Sequence, residues 1–314
     1  MKIFNKDNNG SDELVSVIGM ISSGIDFSVW EPIIPLGIRE LASIIGKESI
    51  DAASDYYNQT TAEVKPEMDE FLRLTQQAVA FFTWLKLIPT LDAQHDANGR
   101  NKKYGENEHG LTAVQEFKDE SNILNLAYEA TDALVECLEN NKFDFWEKST
   151  TKKAMDNLLI KNKSEFDTYY HIGSHRLFLI LVPMIREVQE SAIIPIIGEK
   201  YYDSLVQNEQ LIVNRIKEEV CRPLALLTIR KAVQRLPIEV LPSGIVQVQQ
   251  TGTVREKLKA EKEARVAVAD SLKDDADLQL QQLQDIITDM DSTDDEKKDY
   301  YIGRPTVQST GMTF

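Results

Sequence analysis

His171 and His175 stand four residues apart. On a helix that spacing puts both imidazoles on one face, where a third ligand would complete a zinc site. Gly173-Ser174 lies between them and breaks such a helix, so two partly exposed histidines at a helix start are expected. His95 and His109 fall in a polar loop and are not expected to be ligands. Asp289, Asp291, Asp294 and Asp295 form an acidic cluster. It lacks the glycine and closing glutamate of an EF-hand calcium loop, and a solvated tail is the expectation. Phe81, Phe82 and Trp84 would suit a ligand pocket, but aromatic residues at helical spacing belong first to a core. Cys137 and Cys221 sit in helical contexts as small buried side chains and give no disulfide framework. The chain has no P-loop, no dinucleotide fingerprint, no Cys-x-x-Cys pair and no Gly-x-Ser-x-Gly elbow. No catalytic residue, cofactor or metal is expected.

The elements that position these residues are organised around a stretch that occurs twice. Residues 44–51 read Ile-Ile-Gly-Lys-Glu-Ser-Ile-Asp, and residues 196–203 read Ile-Ile-Gly-Glu-Lys-Tyr-Tyr-Asp. In each, an apolar helical run ends at a glycine, Gly46 or Gly198. The expected conformation there is the left-handed one that closes a helix. Asp51 and Asp203 recur at equivalent places, with a structural task such as holding N–H groups at the next helix start. With one constant offset, Phe27 falls on Leu179, Ile33 on Ile185, Leu36 on Val188 and Leu41 on Ile193. The run Ala80 to Lys86 lies opposite Ala225 to Lys231. Four segments in register imply that one helical unit was duplicated.

The chain order follows. Residues 1–10 are polar and read as a flexible lead-in. The first helical unit covers 11–140. Ser28 and Glu31 have capping-box spacing, with Pro32 in the first turn of a helix that ends at Gly46. Pro66 to Ile88 is a central helix, with Phe71, Leu74, Ala78, Phe81, Phe82, Leu85 and Ile88 at spacings of three and four, and Pro89 stops it. Leu111 to Asn140 is a further helix, with Phe117, Leu124, Ala127, Leu134 and Leu138 buried. Residues 141–162 form a connector pinned by Phe143, Phe145 and Trp146. The second unit covers 163–290. In it, Ile238, Val240, Ile245, Val246 and Val248 around Pro242-Ser243-Gly244 read as a short β-hairpin. A long charged helix follows from about Val254 to Met290. Residues 291–314 read as a disordered acidic and polar tail, in which Tyr300, Tyr301 and Phe314 are candidates for docking on a partner, as are the hairpin residues. The fold class is mainly α, a tandem duplication with a short hairpin in the second unit.

Composition bounds the function. Fifty-one acidic against 35 basic side chains give a net charge of -16. That disfavours a surface-wide affinity for nucleic acid, whose binders are usually basic. The longest apolar run, Leu177 to Ile185, is broken by Pro183 and is too short to span a bilayer. No membrane contact is expected, and the start lacks the apolar core of a signal peptide. A soluble protein made in the cytoplasm is the expectation.

The two runs, most fully Arg186 followed by Ser191 to Asp203, resemble a family of uncharacterised structural proteins encoded in Bacteroidetes prophages near head-morphogenesis genes. The resemblance covers nearly all of 11–290. Each unit is also similar to the small helical head–tail connector (adaptor) proteins of tailed phages, which carry one such unit rather than two. The resemblance implies a ring-forming homo-oligomer in the virion, assembled in the bacterial host cytoplasm. It would dock on the portal protein, offer a platform to tail or neck proteins, and let DNA pass without specific binding. Two readings stand beside it: an all-helical enzyme or metal-binding protein of unknown substrate, and a capsid cargo or regulatory protein.

Overall fold

The structure, a computed structural model, describes residues 1–19, 24–59, 65–91, 93–96, 99–102, 111–237 and 254–302. Among these, side chains are described except in 93–102, 113, 214, 254–261 and 293–302. The chain divides into two compact units. Unit 1 holds Met1–Asp156 with Ser174–Ile180, and unit 2 holds Asn157–Gly173 with Leu181–Phe314.

Unit 1 is built on α5 (Pro66–Leu91). Around it stand α1 (Asp12–Ile18), α3 (Ile34–Ile45), α4 (Lys47–Asn58) and α6 (Ala113–Asn141). The short α2 (Phe27–Trp30) precedes α3. The start of α2 is capped by Asp26, which accepts from Ser28 N–H, so the Ser28–Glu31 pair is not the cap. The apolar residues of α5 recur on several sides, and Phe71, Leu74, Ala78, Phe81, Phe82 and Leu87 are buried. Full burial of one such aromatic or aliphatic side chain contributes about 1.5–3 kcal/mol. Leu85 and Ile88 are only half-buried, and the helix runs past Pro89 to Leu91. In α6, Ala127, Leu134 and Leu138 are buried, Ile123 takes the place expected for Leu124, and Phe117 is 62% exposed. Thr112 and Gln115 form a capping box at its start, and Lys142 closes it in the left-handed conformation.

The first ten residues are not a loose lead-in. Ile3 and Phe4 are buried, Gln76 donates to Ile3 O, and Ser54 and Asn58 bond the backbone of Lys2. Tyr57 accepts from Lys6 N–H and donates to Glu13. Two apolar residues suffice as an anchor because the polar backbone beside them finds partners on α1, α4 and α5. The connector is pinned as expected. Trp146 is buried and donates to Glu139, and Phe143 and Phe145 pack on Phe71 with ring centroids 5.6 and 5.1 Å away. Two short helices, α7 (Asp144–Glu147) and α8 (Thr150–Lys153), run through it.

Strands β1 (Ala93–Asp96) and β2 (Gly99–Lys102) pair antiparallel in unit 1, inside the loop read as polar and turn-rich. The hairpin expected at 238–249 is not seen, because those residues lie outside the described ones.

Unit 2 repeats the plan. Its central helix α12 (Gln210–Arg235) is flanked by α9 (Lys163–Tyr169), α11 (Ile194–Val206) and α13 (Val254–Ile302). Helix α10 (His175–Val188) leads through a π-helical turn, Gln189–Ile193, into α11. Both α5 and α12 are 26 residues long. Their buried faces coincide: Phe71 with Ile216, Thr75 with Val220, Val79 with Leu224, Thr83 with Thr228, and Leu87 with Ala232. Thr83 and Thr228 each donate to the carbonyl four residues back at 2.7 Å, which satisfies a fully buried hydroxyl.

The single constant offset between the copies needs one correction. Leu41 and Ile45 match Ile193 and Ile197 as expected, all four buried. Upstream, Leu36 is 40% exposed while Val188 is buried. The buried faces there align one residue differently: Trp30 with Leu181, Ile34 with Ile185, and Ile38 with Gln189. The π turn holds the extra residue, which is what a single insertion into a helix produces.

Helix α13 runs to Ile302, through the first half of the tail expected to be disordered. Asp294 and Lys298 have the i,i+4 order that supports a helix, and Gly303 follows its end.

At Gly198 the backbone has φ 72° and ψ 160°, and a Cβ would meet no atom within 4 Å. Gly198→Ala therefore isolates backbone strain from crowding. It is expected to lower unfolding free energy by about 1–3 kcal/mol in chemical denaturation; a neutral substitution would contradict the conformational requirement.

Candidate functional site

The repeated glycine turn is the feature both copies share most closely. Gly46 has φ 82° and ψ 156°, nearly the values at Gly198. This is not the left-handed helical conformation expected. With ψ near 160° both residues lie in the extended region at positive φ that is essentially reserved for glycine. The physical consequence is an abrupt joint. Gly46 N–H still bonds Ala42 O, closing α3, and Lys47 already belongs to α4. One residue ends one helix and starts the next.

Asp51 and Asp203 do not hold the N–H groups of that start. Helix α4 begins directly after the glycine, so Asp51 lies a full turn inside it, 4.0 Å from Lys47. Asp203 is exposed at the matching place in α11. Glu48 takes the role of tether instead. It accepts from the N–H and hydroxyl of Thr150, fastening α8 beside the turn, and its own N–H, followed by these bonds, holds its carboxyl below the usual range. In the second copy Tyr201, three residues after Gly198, donates to Asp291 at 2.8 Å and ties α11 to α13.

The remaining candidates are structural where they are described. His171 is 81% exposed and 3.6 Å from Asp167, and Gly173, at φ 66°, separates it from His175 at the start of α10. Burial alone would raise the Asp167 carboxyl. Lys163 and the N–H groups of Ile172 and Gly173 outweigh it and hold the group low. Phe81 and Phe82 are core residues, Phe82 meets Tyr128 edge-on, and Trp84 stacks on Trp30 at 5.3 Å. Among the described residues no group of three or more His, Cys, Asp and Glu is placed to hold a metal ion. Nor is any helix there long and apolar enough to cross a membrane. Ile238, Val240, Ile245, Val246, Val248 and Phe314 lie outside the described residues. Tyr300 and Tyr301 fall in the last turns of α13, beyond the described side chains.

Sequence reasoning missed two polar clusters. In unit 1, Asp132 on α6 accepts from Ser174 Oγ at 2.9 Å and from Arg176 N–H at 2.6 Å. The Arg176 guanidinium, 6% exposed, lies 3.7 Å over the Tyr128 ring. Burial pulls its pKa down, while Tyr128 and Asp132 push it back up. In unit 2, Glu187 on α10 accepts from Lys231 and Arg235 on α12. Each cluster joins residues about 44 positions apart, and no local pattern marks such a pairing.

These are joints between helices, and together they define a mainly α protein made of a module present twice. The chain belongs to DUF6712, a family of unknown function, whose model matches it in two parts, residues 41–154 and 187–293. The two matches bear out the duplication. No curated protein and no solved structure matches the chain.

Arg235 and Lys231 hold Glu187 down to about 2, against its ordinary 4.5. A depressed carboxylate contributes stability above its unfolded pKa and loses it as pH falls through the folded one. The window is therefore from about 4.5 down to about 2. Glu187→Gln should be less stable than the parent at neutral pH, with the gap closing across that window. Since the Glu187 side chain is 41% exposed, added salt should shrink the gap as well. Denaturation midpoints at both ends of the window, with and without salt, read this directly.

Burial pushes the Cys221 thiol up to about 12, and Cys137 is also raised by burial. Since the thiolate is the reactive form, neither cysteine should react with a thiol reagent at neutral pH until the chain unfolds. Prompt labelling of Cys221 in native protein would contradict its placement in the core.

Proposed function

We propose that this protein is a structural component of a phage particle, a head–tail connector that docks on the portal and joins head to tail. The observation that carries the reading is the length of α13. Its 49 residues extend about 74 Å, whereas the 26 residues of α12, on which it packs, extend about 39 Å. Among the described side chains of α13, residues 262–292, the buried positions run from Ala269 to Met290. The helix is thus nearly twice as long as the one it packs on, as an arm reaching a neighbouring chain would be.

Other features support the same reading. The resemblance of the two glycine-terminated runs to connector proteins implies a ring-forming protein beneath the portal. Val266 and Leu278 on α13 are 52% and 60% exposed, apolar positions that a neighbour could cover. A head-to-tail contact between such surfaces closes into a ring when the rotation per subunit allows it. The net charge of -16 suits a channel that DNA crosses without sticking. The partners are further copies of the chain, the portal protein, and tail or neck proteins. The place of action is the virion's head–tail junction, after assembly in the host cytoplasm.

Electron microscopy and sedimentation of purified protein, alone and with portal protein, test this. Rings, or a stable complex with portal, are the expected result. A monomer at every concentration that ignores portal would overturn it.

A further inference from the structure

Helices α6 and α13 hold the same place in the two copies, each packed along its central helix. Both begin with turns whose described side chains are not buried. None described from Leu111 to Asn122 is buried, and burial in α6 begins at Ile123. None described from Lys262 to Val268 is buried, and burial in α13 begins at Ala269, although the helix starts at Val254. Arg265 donates to the carbonyls of Val233 and Leu236 at the end of α12, so the turns ahead of it run on past that helix. Short helical stretches without packing are marginal in water. The capping box of Thr112 and Gln115 nevertheless holds the free end of α6 in shape. That end shows Leu111, Val114 and Phe117, which are 52%, 65% and 62% exposed. Outward apolar side chains this close together on a well-capped helix mark an interaction surface.

We infer that the free head of α6 receives the head of α13 from a second copy of this chain. Charge selects that occupant. From Ala113 to Asn122 three acids stand against one base, Lys118. From Val254 to Arg265 five bases stand against three acids, whereas from Val266 to Met290 six acids stand against one base, Lys273. Two chains that each carry a net charge of -16 repel one another over most of their surface. The head of α13 is the stretch of that helix which the acidic head of α6 attracts, and the rest is turned away. Charge thus fixes the register as well as the partner. Val266, 52% exposed at the inner edge of the basic stretch, supplies an apolar side chain to meet Val114 and Phe117. The two joined surfaces differ, so the contact is head-to-tail and builds open chains or closed rings. The contact rests on α13 being an arm to a neighbouring chain, as proposed above. It requires no particular arrangement of the two units within one chain.

Charge reversal in the full chain tests it. Asp119→Lys with Glu120→Lys reverses the α6 head, and Lys259→Glu with Lys262→Glu reverses the α13 head. Like charges then meet, and either variant alone should self-associate about a hundredfold more weakly than the parent in sedimentation. An equimolar mixture of the two should recover parental assembly, since every head then meets one of opposite sign on the other chain. Phe117→Ser, which leaves every charge in place, should weaken association about tenfold. A mixture that stays monomeric overturns the contact. So does a reversed chain that assembles like the parent, and rings in that case leave the connector reading standing. A monomeric parent also overturns the contact; if it still binds portal the connector reading survives, and if it ignores portal both fall. Where far-UV circular dichroism shows that a reversed chain does not fold, Phe117→Ser decides, and undiminished assembly of that variant overturns the contact.

Discussion

Two helices that meet with no loop between them leave their shared residue very few backbone conformations. At Gly46 and Gly198 that residue has φ 82° and 72° and ψ 156° and 160°, where any side chain is strained. The joint sets the angle at which the second helix departs, and so fixes where Ile50 and Ala53 in one copy, and Tyr201 and Leu205 in the other, enter the core. Space is not the issue at Gly198, where no atom stands near the missing Cβ. At Gly46, Thr151 and Glu48 lie close as well, so the first copy adds crowding to the same conformational demand. A different glycine answers to space instead. A Cβ at Gly37 would fall 2.3 Å from Thr83 Oγ1 and 2.8 Å from Val79 O. The absent side chain lets α3 lie close against α5.

The close crossing and the π turn are two solutions to one packing problem. In the first copy Gly37 occupies the crossing, and Thr83 hides its hydroxyl against its own helix. In the second copy Val188 stands at the matching position and Thr228 repeats the internal bond. The next buried position holds Ile38 in one copy and Gln189 in the other. A buried glutamine needs partners for both ends of its amide. Gln189 finds them in Leu159 N–H, Asn157 O and Tyr202 OH, which lock the connector to the π turn. The extra residue is tolerated because those bonds hold the widened turn, and downstream of it the apolar register returns at Ile193 and Ile197.

Much of this was legible in the sequence, for identifiable reasons. Helix α5 announces itself because Phe71, Leu74, Ala78 and Phe82 recur at helical spacing and are large, so the pattern carries both period and burial. The twin turns are legible because glycine at the end of an apolar run has few alternative explanations. Periodicity gives a phase but not an extent, which is why Phe117 extends the buried pattern of α6 on paper and stands exposed in the fold. Ile3 and Phe4 are too few to show a period, so the anchored N-terminus was invisible. The one-residue insertion was hidden because Ile33, Ile34 and Ile185 are alike, and either pairing reads as a match. The clusters at Asp132 and Glu187 depend on which helices become neighbours, which no local pattern contains.

Where two copies of one module differ, the shared fold does not need the difference. Both copies keep the glycine joint, the central 26-residue helix and its buried threonine. They part at their ends. The second copy extends its first helix by the turns that pack in unit 1, and carries a final helix of 49 residues against 29 in the first. Leu177 and Phe178 are buried within the first of these extensions, and the buried positions described on α13 stop at Met290. Such additions cost conformational entropy, which burial of apolar side chains such as Leu177 and Phe178 offsets.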